Sequence, residues 1–466
     1  MQRDIFASIS PLDHRYYASA PDLFERLSEY LSENAYIRYQ AKVEEALTTV
    51  LARRGLCPES VALEVSQAVK ELTPQEVYAE EAVTHHSVRA LVNCIRRKIS
   101  PEARPFVHFC ATSSDITDTA RVLQYRDVTN QMVIPYLKEL IRIWIRLVRR
   151  EADTLQIGRT HGQHAVPITF GFAMAEYISR LGNRLLAIEQ ATAALRGKMA
   201  GAVGAYNAIS LFFDDPECLE REVLAELGLI PSTHSTQIVE PEYVVDWAHA
   251  LVSTLGVLAN IGDDLRHLQR SEIAEVGEFF EESQVGSSTM PHKRNPWNFE
   301  HVKSMWKAFL PRMMTLYMDQ ISEHQRDLTN SACSRFIPEL VAAVVAVTER
   351  LVRVCRRLGV NPVQMKENFL RSKEMVIAEP LYVLLAAHGH PDAHEVVRRL
   401  TLVAERTGRS LRAVVEESEE LIPYLDRMSE RQREVLRSPE LYVGIAGQKA
   451  LRVADHWETT LQLGPS

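Results

Sequence analysis

Leu251, Leu255, Leu258, Ile261, Leu265 and Leu268 recur at intervals of three or four residues. At about 3.6 residues per turn this spacing lines one face of an α-helix, and a face that apolar must be covered. The pattern returns at Leu340, Val344, Val347, Leu351, Val354 and Leu358, with Gly359 and Pro362 as its stop, and more loosely over residues 136–148. Runs of alternating β-branched residues are missing, and no Asn-Gly type of signal joins two strand-like segments. The expectation is an all-α chain without hairpins, built on a bundle of long helices. Three helical domains are expected: residues 1–115, a central long-helix domain over residues 116–362, and residues 363–466.

Polar, breaker-rich stretches interrupt the helices at residues 101–118, 157–169, 197–207, 231–242 and 284–296. In an antiparallel bundle such stretches fall at helix ends, where unpaired backbone N–H groups gather. The most unusual is GSSTMPHKRNP, residues 286–296. Gly286, Pro291 and Pro296 keep it out of regular helix and leave its N–H groups free for a ligand. Lys293, Arg294 and Asn295 add donors suited to a carboxylate or phosphate. From the residues alone, His292 is the natural base here, and His161, in a Gly-flanked polar turn, is a natural general acid.

The composition narrows the classes of function. Over 466 residues, 46% hydrophobic and 24% charged side chains suit an ordered globular protein. A formal charge of -8 argues against general binding to nucleic acid or to an anionic membrane, while leaving local basic clusters for small anions. Cys57, Cys94, Cys110, Cys218, Cys333 and Cys355 include no C-x-x-C pair, so neither a zinc site nor a disulfide framework is expected. The first residues, MQRDIFASIS, lack a signal pattern, and the apolar run at residues 340–347 is too short to span a bilayer. A soluble cytoplasmic protein is the expectation.

GSSTMPHKRNP resembles the signature of the fumarase/aspartase superfamily. Two further blocks resemble it in the same order, ATSSDITDTA at residues 111–120 and GRTHGQHAVPITFG at residues 158–171. The resemblance implies β-elimination of fumarate from a succinyl group, without metal or cofactor. It implies Ser288 as the base in place of His292, His161 as the acid, and Glu300 as the partner of that histidine. Lys293 and Asn295 are implied as binders of the succinyl carboxylate, with Ser287 and Met290 lining the loop. Thr112, Ser113, Ser114 and Asp115 resemble the second carboxylate clamp, and this cluster also reads as a helix N-cap. A homotetramer with sites shared between subunits is implied as well.

Within the superfamily the remaining blocks are similar to the adenylosuccinate lyase family, which implies a nucleotide substrate. SISPLDHRYY at residues 8–17 makes Arg15 and Tyr16 candidates for its phosphate. GAVGAYNA supplies Asn207, and STQIVEPE supplies Gln237. In QRDLTNSACSR the four-residue spacing is expected to place Ser331 and Arg335 on one helix face, a hydroxyl and a guanidinium fork suited to a monophosphate. Arg326 is a further contact candidate and is expected to form a local ion pair with Asp327. His86 matches the family's substrate-contacting histidine. The chain departs from the pattern at His85, Ser87 and the Pro241–Glu242 pair.

Overall fold

The computed structural model describes residues 5–280, 287–290 and 292–464. Gly286 and Pro291 of the basic loop, and residues 284 and 285 before it, therefore lie outside the described residues. Numbered in chain order, the elements that position the site are α1 (Glu33–Arg53), α2 (Pro74–Thr84), α3 (Ser87–Arg97), α4 (Ser113–Val128), α5 (Ile134–Arg150), β1 (Leu155–Thr160) and β2 (Gln163–Thr169). They continue with α6 (Phe170–Ala194), α7 (Glu242–Leu268), β3 (Val276–Gly277), α8 (Trp297–Phe309), α9 (Ile337–Cys355), β4 (Gly359–Val360) and α10 (Pro362–Val376).

The fold is overwhelmingly helical, as the apolar stripes require. Leu251, Leu255, Leu258, Ile261 and Leu265 on α7, and Leu340, Val344, Val347 and Leu351 on α9, are each at most 1% exposed. Burying a side chain of this size contributes about 1.5–3 kcal/mol, so each stripe outweighs any local propensity in fixing its helix. Helix α7 is long and apolar enough to cross a membrane, but 67% of its apolar window is buried within the protein, the mark of a bundle core helix.

Packing divides the chain into two compact units. One comprises Met1–Leu137, Arg184–Gly256 and Ser304–Glu349; the other comprises Lys138–Asn183, Val257–Lys303 and Arg350–Ser466. Each border falls inside a long helix, in α5, α6, α7, α8 and α9. In the first unit Tyr125 of α4 stacks on Trp247 of α7 at 4.7 Å, and the indole N–H donates to Thr129 Oγ1 at 3.0 Å. In the second, Trp144 of α5 and Tyr177 of α6 lie 6.0 Å apart, and Leu381, Leu385, Leu411 and Leu421 form a separate apolar cluster toward the C-terminus. All six cysteines are free thiols.

The expectation of a chain without hairpins is corrected by the structure. Strands β1 and β2 pair antiparallel, with Thr160 opposite Gln163, and β3 pairs antiparallel with β4. The signal overlooked is His161-Gly162, whose φ values of +55° and +74° are what a two-residue turn between twisted strands needs. Histidine is among the few side chains that enter this region with some ease, and glycine enters it freely.

Leu258→Ala is expected to destabilise the protein by about 2–5 kcal/mol, because it opens a cavity in a close-packed stripe. Urea unfolding measures this directly; a loss below about 0.5 kcal/mol would show that α7 is not held by its stripe.

Candidate active site

The second unit carries His161 at the tip of the β1–β2 hairpin, its side chain exposed. The hairpin stem is fixed from below. Ile157 is fully buried against Phe369 and Val376 of α10. Glu275, also fully buried, accepts from Gln156 Nε2 at 2.7 Å, from Arg159 Nη2 at 2.6 Å and from Asn368 Nδ2 at 2.9 Å. A carboxylate surrounded by donors on both strand and helix leaves the stem one orientation. Beside the tip, His164 Nδ1 lies 2.5 Å from Ser372 Oγ, and burial lowers the pKa of that imidazole. A cleft of about 1150 Å³ borders the hairpin and is lined by Arg159, Gly162, His164, His267 and Arg371.

The same unit carries the basic loop. Ser287 Oγ accepts from the N–H groups of Thr289 at 3.4 Å and Met290 at 3.1 Å, a hydroxyl-capped turn that leaves Ser288 at its apex with an exposed side chain. The two serines thus divide the work, one shaping the turn and one standing free of it. The Lys293 N–H donates to Met290 O at 2.9 Å, and the side chains of Met290, His292, Lys293 and Arg294 are exposed. Asn295 is half-buried. Glu300 stands exposed in the first turn of α8. Among the described residues no hydrogen bond joins Glu300 to His161, or either one to Ser288.

The first unit gathers the remaining candidates by stitching four polar stretches together. Thr112 caps α4, its N–H bound to Asp115 Oδ2 at 2.8 Å. Asp115 is fully buried and is ion-paired with the equally buried Lys198. It also accepts from the N–H groups of Ala200 at 3.1 Å and Gly201 at 3.2 Å. The carboxylate is saturated by these donors, so it fixes the glycine-rich turn against the start of α4, and Thr112, Ser113 and Ser114 remain half-buried beside it. Gly204, at φ +79°, then meets the next stretch: a Cβ there would lie 1.9 Å from Ser235 O. That stretch carries Gln237, whose N–H donates to Gln325 O at 3.2 Å and so binds it to the segment bearing Arg326, Ser331 and Arg335. Asn207, Ser331 and Arg335 are exposed, and Gln237 and Arg326 half-buried.

Two local expectations change. Ser331 and Arg335 do not share an α-helix face, because Ser331 sits in a turn, Arg335 in a 3-10 turn over Cys333–Phe336, and α9 begins only at Ile337. Arg326 and Asp327 form no ion pair; Arg326 Nη1 donates to Asp319 O at 3.2 Å. The Asp327 carboxylate accepts from the Thr329 hydroxyl and from the N–H groups of Thr329 and Glu323, which pulls its pKa down to about 2. That side-chain turn competes with helix formation and delays the start of α9.

Arg15 is exposed on the short helical stretch Leu12–Tyr16, and the Tyr16 hydroxyl points to Met305 Sδ at 3.1 Å. His86 caps α3, its Nδ1 accepting from the Arg89 N–H at 3.2 Å, so the ring proton resides on Nε2 at an exposed position. His85 closes α2 at φ +51°. Sequence reasoning did not single out Glu275 or Lys198. A lysine inside the small-residue run GKMAGAVG was the available sign of the second, since a charge there needs a buried partner.

Residues 14–308 match the family described as Lyase, and residues 322–436 match the family described as Adenylosuccinate lyase C-terminal. Adenylosuccinate lyase of Pyrococcus horikoshii is 35% identical across 97% of this chain and 98% of its own length. That of Pyrococcus abyssi is 34% identical over the same shares. Among solved structures, a 3-carboxy-cis,cis-muconate lactonizing enzyme from Pseudomonas putida superposes with a TM-score of 0.83 at 25% identity, covering 97% of this chain and 99% of that one.

Lys198→Met is expected to cost about 3–5 kcal/mol in urea unfolding, because it leaves the Asp115 charge buried without its cation. Adding Asp115→Asn to it is expected to return part of that loss; strictly additive losses would show that the two side chains act independently.

Proposed function

The chain belongs to the adenylosuccinate lyase family of the fumarase/aspartase superfamily, and on that footing we propose that it cleaves adenylosuccinate to AMP and fumarate. The same chemistry would act on the succinylcarboxamide ribotide of purine biosynthesis. In the proposed reaction Ser288, as its alkoxide, removes a proton from the succinyl Cβ. The electrons pass into the adjacent carboxylate, and Lys293 and Asn295 stabilise the charge that gathers there. His161 then protonates the departing purine amine as the C–N bond breaks, releasing fumarate with its new double bond. Glu300 is the proposed partner of that imidazole.

Arg15, Tyr16, Ser331 and Arg335 take the phosphate, with Arg326 supporting them. Thr112, Ser113 and Ser114 take the second succinyl carboxylate, with Asp115 positioning them. His86, Asn207 and Gln237 contact the nucleotide side, and Ser287 and Met290 shape the loop around the base. The protein is proposed to be a soluble, cytoplasmic homotetramer in which these groups meet at sites shared between subunits. Each subunit is proposed to comprise three domains, residues 1–115, 116–362 and 363–466.

The observation that carries the substrate assignment is the match of residues 322–436 to the adenylosuccinate lyase C-terminal family, because QRDLTNSACSR lies inside it. The elimination chemistry rests instead on Ser288 and His161, each held exposed at the apex of a tight turn.

Purified protein offered adenylosuccinate, argininosuccinate and carboxymuconate separately is expected to turn over only the first. Turnover of another with none of the first would reject the assignment. Ser288→Ala is expected to lower kcat by about 10²–10⁴-fold, while His292→Ala keeps turnover within about tenfold. The reverse order of losses would make His292 the base.

A further inference from the structure

Glu278 and Arg294 stand on either side of the loop bearing Ser288, as its two stems. Its two stems are tied together by side chains with no part in the reaction as proposed. Gln269, just beyond α7, reaches both: its Oε1 accepts from the Glu278 N–H at 2.9 Å, and its Nε2 donates to the Arg294 carbonyl at 3.2 Å. The same carboxamide thus bonds the outgoing and the returning backbone.

Glu278 makes the second tie. Its Oε1 accepts from the N–H groups of Asn298 at 3.0 Å and Phe299 at 3.1 Å, and its Oε2 from Asn298 Nδ2 at 2.6 Å. A carboxylate on the outgoing stem thereby caps the helix that follows the returning stem, where the free N–H groups of α8 favour a negative charge. Arg350 Nη1 donates to Asn298 Oδ1 at 2.8 Å, and its guanidinium lies 5.4 Å from the Trp297 ring centroid. Arg357 lies 3.6 Å from the ring centroid of Phe279, the first residue after Glu278. Both stems are therefore braced on α9 and the residues just beyond it.

We propose that Gln269 and Glu278 are positioning residues for Ser288, a clamp that fixes the spacing of the loop stems so that the base stands at the height proton removal requires. The proposal rests on the assignment of Ser288 as base. Burying a carboxylate is costly unless donors surround it, and Glu278 is 6% exposed with three donors. A cap needing only stability is met by serine, threonine or aspartate at the helix N-cap itself; a glutamate eighteen residues before that position joins two backbones that loop entropy would otherwise let separate.

The test uses the full-length protein. Gln269→Leu keeps the side-chain volume and removes both hydrogen bonds; Gln269→Glu keeps only the acceptor for the Glu278 N–H. With adenylosuccinate, Gln269→Leu is expected to lower kcat about 10²-fold while KM stays within about threefold and the melting temperature within about 3 °C. Gln269→Glu is expected to fall between Gln269→Leu and the natural protein. Unchanged kcat in Gln269→Leu, or equal losses of kcat, KM and melting temperature, would overturn the clamp. Amide hydrogen exchange over residues 292–299 supplies a readout that needs no substrate. Faster exchange there in Gln269→Leu supports the clamp, and unchanged exchange overturns it. A natural protein that leaves adenylosuccinate intact would reject the functional assignment alone, and the exchange measurement would still decide the clamp.

Discussion

Covering the apolar stripes of the long helices is the constraint from which the rest of the structure follows. Once the stripe residues from Leu251 to Leu265 on α7 and from Leu340 to Leu351 on α9 are at most 1% exposed, the interior has little room for polar chemistry. Groups able to donate, accept or carry protons are displaced to the places where helices stop. Those places are also where backbone N–H and carbonyl groups lack partners. Every stretch nominated for chemistry occupies such a break, and each carries glycines, prolines or hydroxyls that satisfy or redirect the backbone.

Breaks of this kind are poorly determined by packing, and buried carboxylates supply the missing definition. Asp115 holds the glycine-rich turn against α4, Glu275 holds the hairpin stem against α10, and Glu278 holds the two stems of the basic loop. Asp115 and Glu275 are surrounded by donors from separate stretches of chain, and Glu278 by the donors of Asn298 and Phe299 at the start of α8. Replacing a whole buried pair, carboxylate and donors together, by apolar residues is often neutral or favourable for stability, so what these carboxylates contribute is orientation. In this protein they fix loops that hydrophobic contact alone would leave loose.

Much of this was legible in the sequence, and the misses have physical causes. The helices followed from periodicity because a stripe of leucines has few other uses. The blocks proposed for the chemistry were nominated by their resemblance to a superfamily signature and by their costly residue mixtures. The hairpin escapes the pattern because its turn is not Asn-Gly: His161-Gly162 meets the same backbone demand. The late start of α9 was missed because Asp327 acts through its own side-chain turn, which four-residue spacing does not reveal. Glu275, Gln269 and Glu278 were invisible for another reason: their side-chain partners lie at least nine residues away, so only the fold brings them into contact.

The proposed acid and base share one feature in a single chain: both stand exposed at turn tips, with no hydrogen bond to each other or to Glu300 among the described residues. Elimination requires water-poor surroundings and two opposed proton carriers, which exposed tips alone do not provide. In the proposed homotetramer, further copies of the chain complete the site. The most direct measurement mixes two separately inactive proteins, His161→Ala and Ser288→Ala, under conditions that let subunits exchange, and follows fumarate release from adenylosuccinate. Shared sites predict that activity returns in the mixture, because some sites regain one intact histidine and one intact serine from different chains. A mixture that exchanges subunits yet stays inactive, beside an active natural protein, would contradict the account.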